Sequence, residues 1–185
     1  INGDGTTIAV MGKNTSRYTP AVSAPDIFGF IDVASGEFTR TGMPAEMRIN
    51  VFSGYRMAFS HSGEQLLVTD SGSLYVLDLT EDGFTLANTL DIGRTPSSME
   101  LSPSDTLLAT SNGASVTVYD MDTGESVATF GGFHTSVGAL DFSLDSSLAL
   151  SVLGRTLNIR DAQTGEIVFA ADYEDQMNTA FGPTS

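Results

Sequence analysis

Cysteine is missing from all 185 residues, which rules out disulfides, thiolate nucleophiles and cysteine-based zinc sites and leaves the redox compartment undecided. Tryptophan is also missing. Lys13 is the sole lysine, and with seven arginines it faces 23 acidic residues, for a net charge of −15. Gripping a phosphate backbone takes clustered cations, so neither nucleic acid nor an anionic membrane is an expected partner. No apolar run approaches the ~18 residues of a membrane span. The opening "INGDGTTIAV" lacks the basic, apolar and small-residue sections of a secretory signal, and no membrane insertion is expected. The acidity fits a solvated surface that keeps an exposed protein dispersed, or adaptation to high salt. An extracellular or periplasmic location is favoured.

What is present is a repeat. With 41% hydrophobic residues the chain can bury a core, and its apolar positions recur around one phrase. The copies are "IFGFIDVASGEFTR" from Ile27, "LYVLDLTEDGFTL" from Leu74, "VTVYDMDTGESVATF" from Val116 and "LNIRDAQTGEIVF" from Leu157. Their anchors are Asp32, Asp78, Asp120 and Asp161, and a spacing near 40 residues is a propeller-blade period. Residues two and four before each Asp are apolar, with a different residue between, which is the period of a strand. After the Asp, "ASGE", "TEDG", "DTGE" and "QTGE" read as turns in which Gly takes positive φ and a short polar side chain bonds the local backbone. Upstream lies a second shared block, "MAFSHSGEQLLVTDSG", "MELSPSDTLLATSNG" and "LDFSLDSSLALSVLG". Each unit is therefore predicted to be a four-stranded meander, strands a to d. Phe59, Leu67, Val76, Leu101, Leu108, Val118, Phe142, Leu148 and Ile159 are its predicted core.

These phrases resemble the WD40 and YVTN families of β-propellers. "GGFHTSVGALDFSLDSS" is similar to the WD40 Gly-His lead-in and its turn, and the stretch from "IGRTPSSMELSPS" to "VATF" is similar to a YVTN blade. The Trp of the Trp-Asp pair is replaced by Ile31, Leu77, Tyr119 and Arg160, so the resemblance points to a divergent, prokaryotic member. It implies an all-β propeller of four-stranded antiparallel blades, about four in this chain. Blade 1 takes strands b to d from residues 1–42, completed by a strand a such as 177–185; blades 2, 3 and 4 take 55–90, 96–130 and 136–170. The chain reads as one propeller domain, closed on four blades, or as a partial one whose ring is completed by a second copy or by further sequence.

No catalytic constellation emerges. His61 falls in an a-to-b turn and His134 in a d-to-a connection, at opposite ends of a blade, so they cannot serve one hydrolytic site. Asp120 and Asp122 with Gly124, and Asp4, lack the remaining ligands of an EF-hand; they read as turn caps, with a calcium site built from several loops as the alternative. No glycine cluster opens a helix to cradle phosphate. Residues 13–26 read as a surface loop.

The d-to-a connections share one end of the blades. They carry Arg48, Tyr55, Arg56, Arg94, Phe133, His134 and Tyr173, combining scarce cations with aromatics of the kind enriched at interface hot spots. The expected function is a non-catalytic scaffold that binds a protein or peptide through these loops, with no cofactor and no metal. The alternatives are a structural cell-surface or filament module, and a subunit of a propeller-type redox enzyme or lactonase.

Overall fold

The computed structural model describes residues 4–12, 27–47, 49, 55–113, 115–131, 137–174 and 182. Among these, every regular element is a strand, and the strands form four antiparallel sheets. Sheet 1 is β1 (Thr7–Gly12), β2 (Ile27–Asp32) and β3 (Phe38–Arg40). Sheet 2 is β4 (Tyr55–Phe59), β5 (Gln65–Asp70), β6 (Ser73–Thr80) and β7 (Gly83–Asp91). Sheet 3 is β8 (Ser98–Leu101), β9 (Leu107–Ser111), β10 (Ser115–Asp120) and β11 (Ser126–Gly131). Sheet 4 is β12 (Val137–Phe142), β13 (Leu148–Leu153), β14 (Thr156–Asp161) and β15 (Ile167–Asp172). Sequential strands are neighbours throughout, as expected of a meander. Apart from Gly182, the strand expected at 177–185 lies outside the described residues, as does the whole loop at 13–26.

The chain divides into two compact units, Ile1–Thr95 with sheets 1 and 2, and Pro96–Ser185 with sheets 3 and 4. Period two gives each sheet two faces. We call the face carrying the residues two and four before the repeated Asp the front, and the other the back. In the first unit Met11 and Phe28, on the front of sheet 1, cluster with Leu66, Val68, Tyr75, Leu77 and Phe84, on the back of sheet 2. The rings of Phe28 and Phe84 sit 5.2 Å apart, tilted at 41°. Met47 and Ile49, from the connection between the sheets, are buried in the same cluster. In the second unit Ala109, Val116, Val118, Ala128 and Phe130, on the front of sheet 3, cluster with Leu140, Phe142 and Ala149, on the back of sheet 4. Val116 and Val118 are 0% exposed, and each such side chain contributes about 1.5–3 kcal/mol of transfer free energy. Both units thus follow one rule, front upon back.

Arg160, immediately before the fourth repeated Asp, acts across that junction. Its guanidinium lies 4.9 Å from the centre of the Phe130 ring and Nη1 donates to the Gly165 carbonyl at 2.7 Å. The predicted core residues Leu67, Val76, Leu101, Leu108, Val118 and Phe142 are buried. Phe59, Leu148 and Ile159 are only half-buried. For Ile159 the reason is its face: it lies on the front of sheet 4, whereas sheet 3 covers the back. The same asymmetry buries Asn158, which the alternation had set on the polar side.

The repeated phrase is a carboxylate-capped turn in three of its four copies. Asp32 Oδ1 accepts from the Ser35 N–H and hydroxyl, both at 2.7 Å. Asp120 Oδ1 accepts from the Thr123 N–H at 2.7 Å and hydroxyl at 2.9 Å, and Asp161 Oδ1 from those of Thr164 at 2.8 and 2.9 Å. The Gly closes the turn by donating its N–H to the Asp carbonyl; for Gly165 this needs φ of +73°, a left-handed backbone that an L side chain resists. Asp78 differs. β6 runs on to Thr80, which pairs with Gly83 across a two-residue turn, and Asp78 instead accepts from Gln65 Nε2 at 2.9 Å.

Candidate functional site

In sheet 2 the start of β4, the end of β5, the start of β6 and the end of β7 fall together, since the four strands alternate in direction. This is the end from which a d-to-a connection leaves, and it holds Tyr55, Arg56 and Arg94. The corner is tightly tied. Ser71 donates its N–H to Thr95 Oγ1 at 2.8 Å, and Ile92 donates its own to the Gly72 carbonyl at 2.8 Å.

The candidate residues have different surroundings. Tyr55 is half-buried against the first unit's core, and its hydroxyl donates to the Met11 carbonyl at 2.7 Å, tying β4 to the end of β1. Arg56 follows on the opposite face of β4 and is exposed; its N–H donates to Thr69 Oγ1 at 3.1 Å and its Nη1 to the Tyr55 carbonyl at 3.4 Å. Arg94 is exposed in the loop after β7. Tyr173 follows β15 in the second unit, is 41% exposed, and donates its N–H to the Arg155 carbonyl at 2.9 Å. Arg48, Phe133 and His134 lie outside the described residues. The first unit therefore places Tyr55, Arg56 and Arg94 at the same end of sheet 2, with Arg56 on β4 and Arg94 after β7, and both arginines are exposed.

The opposite end of the second unit carries a cleft that the repeated phrase does not predict. It encloses about 440 Å³ and is lined by Ser104, Thr106, Asp145, Ser146, Ser147, Asp161, Gln163 and Thr164. Its carboxylates are already engaged. The hydroxyls of Ser143 and Ser147, then the Ser147 N–H, hold Asp145 well below the usual carboxylate range, at about 2. The Thr164 N–H and hydroxyl lower Asp161 in the same way, as those of Thr123 lower Asp120 and the Ser35 hydroxyl and N–H lower Asp32. The signal for this cleft was in the sequence, as the Ser-rich turns beside the repeated Asp. Among the described residues no group of three or more His, Cys, Asp and Glu side chains could hold a metal ion. His61 is exposed in the turn between β4 and β5.

No family model matches the chain, and no curated protein sequence matches it. A solved structure does: a chain of Kuenenia stuttgartiensis hydrazine synthase superposes over 94% of this chain with a TM-score of 0.65 at 16% identity. This chain spans 47% of that one, about half its length. At that identity the likeness is one of fold, and with the four antiparallel sheets it makes the chain an all-β array of β-propeller blades.

Proposed function

We propose that the chain is a non-catalytic β-propeller scaffold of the divergent WD40 or YVTN type, binding a protein or peptide at the end of its sheets where the d-to-a connections leave. The observation that carries this reading is the pair Arg56 and Arg94, both exposed at the same end of sheet 2 in a chain of net charge −15. Exposed guanidinium groups on an acidic body steer a partner's approach and fix its orientation. The partner is neutral or acidic where it meets them, and aromatics such as Tyr173 supply contact area. The test is capture of partners with the native chain and with an Arg48→Ala, Arg56→Ala and Arg94→Ala triple variant. Loss of the partner supports the reading, and identical partner sets overturn it.

The second reading, a subunit of a propeller-type redox enzyme, draws on the likeness to a chain of hydrazine synthase. It requires a bound metal or chromophore. Metal analysis and the visible absorption spectrum of the purified protein decide between the two.

A further inference from the structure

The outer strand of sheet 2 offers an open edge beside an apolar groove. Among the described residues no strand pairs with the far side of β7. Natural sheets block such edges with charge, proline or brevity, as β3 does with three residues. β7 runs for nine residues and has neither charge nor proline over 83–90; its bulge, at Ala87, falls past the regular stretch from Gly83 to Leu86. Phe84 and Leu86 lie on the back of sheet 2. With Met43, Pro44 and Glu46 of the connection between β3 and β4 they line a groove of about 470 Å³, within the roughly 300–1,000 Å³ of ordinary ligand sites. Phe84 is its fixed floor, buried with its ring 5.2 Å from Phe28 and edge-on to Phe30 at 6.2 Å. Met43 and Leu86 are half-buried against the same core. Thr41 packs where a Cβ on Gly83 would stand, which holds the connection to the start of β7. The rim is acidic. Glu46 is exposed in the groove wall, and Glu81 and Asp82 are exposed in the turn that enters β7. Of the two arginines that flank 42–46 in sequence, Arg40 already has a partner and Arg48 lies outside the described residues.

We propose that β7 and this groove take an extended segment of a basic partner protein, which pairs along the outer edge of β7 as a fifth strand, sets an apolar side chain into the groove and holds cations against Glu46, Glu81 and Asp82. In strand addition the main chain supplies affinity and pockets for alternate side chains supply specificity. Successive side chains of the added strand point to opposite faces, so every second one falls on the back, where the groove is. Charge decides the occupant. A second copy would bring the same carboxylates and set −15 against −15, whereas a cationic segment is drawn in. The groove borders the start of β7, and Arg56 and Arg94 lie at the other end of sheet 2. They take a partner of the opposite charge, so the two readings stand or fall separately.

The test titrates a labelled heptapeptide of alternating lysine and leucine into the full chain, followed by fluorescence anisotropy. It should bind, more weakly as salt rises, and the same peptide with glutamate for lysine should not. A Glu46→Lys, Glu81→Lys and Asp82→Lys triple variant, changed only at exposed positions, should weaken binding about tenfold or more. The control makes the same change of charge in exposed turns of the second unit, Asp122→Lys, Glu125→Lys and Glu166→Lys, and should lose far less. Pairing is read apart from charge. Hydrogen exchange of the β7 amides should slow in the complex, and methylating the peptide's backbone nitrogens on the edge that meets β7 should abolish binding. Absence of binding, an equal loss from both triple variants, or a complex that leaves β7 exchange unchanged overturns the proposal. So does a chain that dimerises through β7 without peptide.

Discussion

Replacing Phe142 with alanine removes a ring from the junction of sheets 3 and 4. The side chain is 3% exposed on the back of sheet 4, in one cluster with Val116, Val118, Ala128 and Phe130. Losing its transfer free energy costs about 1.5–3 kcal/mol. Around it are strands held on both sides by ladder hydrogen bonds, β13 among them, so the hole cannot close freely and adds a cavity penalty. The total falls at about 3–5 kcal/mol, the usual range for Phe→Ala in a core. The assay is urea unfolding followed by circular dichroism, with the midpoint falling and the slope unchanged. Val127→Ala is the control: on β11 of the same unit, 39% exposed, it should stay within about 0.5 kcal/mol of wild type. A Phe142→Ala cost below about 1 kcal/mol would refute the front-upon-back core of the second unit.

Acid should weaken the chain in a window set by its turns. The carboxylates of Asp32, Asp120, Asp145 and Asp161 are lowered from 3.8 in the folded state, Asp145 to about 2. Their stabilisation is complete above the unfolded value and is lost as pH falls through the folded values. The carboxyl carbon resonance of Asp145 should titrate near 2, and a midpoint at or above 3.8 would contradict the capped turn. Gly29→Ala should lower the melting temperature steeply, because a Cβ there would collide with the Thr39 carbonyl and the Phe38 ring; an unchanged melt would mean that β2 and β3 do not approach so closely.

The strands were legible because their signal is local. Apolar residues two and four before Asp32, Asp78, Asp120 and Asp161 alternate with other residues, and a Ser or Thr before Gly marks the turn after three of these Asp. Which face is covered was not legible, since it depends on neighbouring sheets: Val118 and Ile159 occupy the same place in the phrase, yet only Val118 is fully buried. The connection "GMPAEMRINVFSGYR" was read for its Arg and Tyr residues, while Met47 and Ile49 within it are core residues of the first unit. Tyr55 looked like an interface aromatic because nothing in the sequence shows that its hydroxyl reaches the Met11 carbonyl, 44 residues away. The acidic, hydroxyl-lined cleft is not legible there because its three turns, β8–β9, β12–β13 and β14–β15, come from two successive repeats, which alignment superimposes rather than sets side by side.

The core of the first unit has a composition that the second does not share. Met11 and Met47 are buried in it, and Met43 and Met57 pack against it, whereas among the described residues the core cluster of the second unit contains no methionine. Thioethers are flexible and polarizable and fill irregular gaps, suiting a cluster that takes part of its lining from the connection at 41–54. They are also the one sulfur chemistry open to a chain without cysteine. Oxidation to sulfoxide turns such a side chain polar and disrupts the packing around it. Peroxide would therefore act on this protein unevenly, loosening Ile1–Thr95 wherever it reaches the thioethers and finding no equivalent target in the core cluster of Pro96–Ser185.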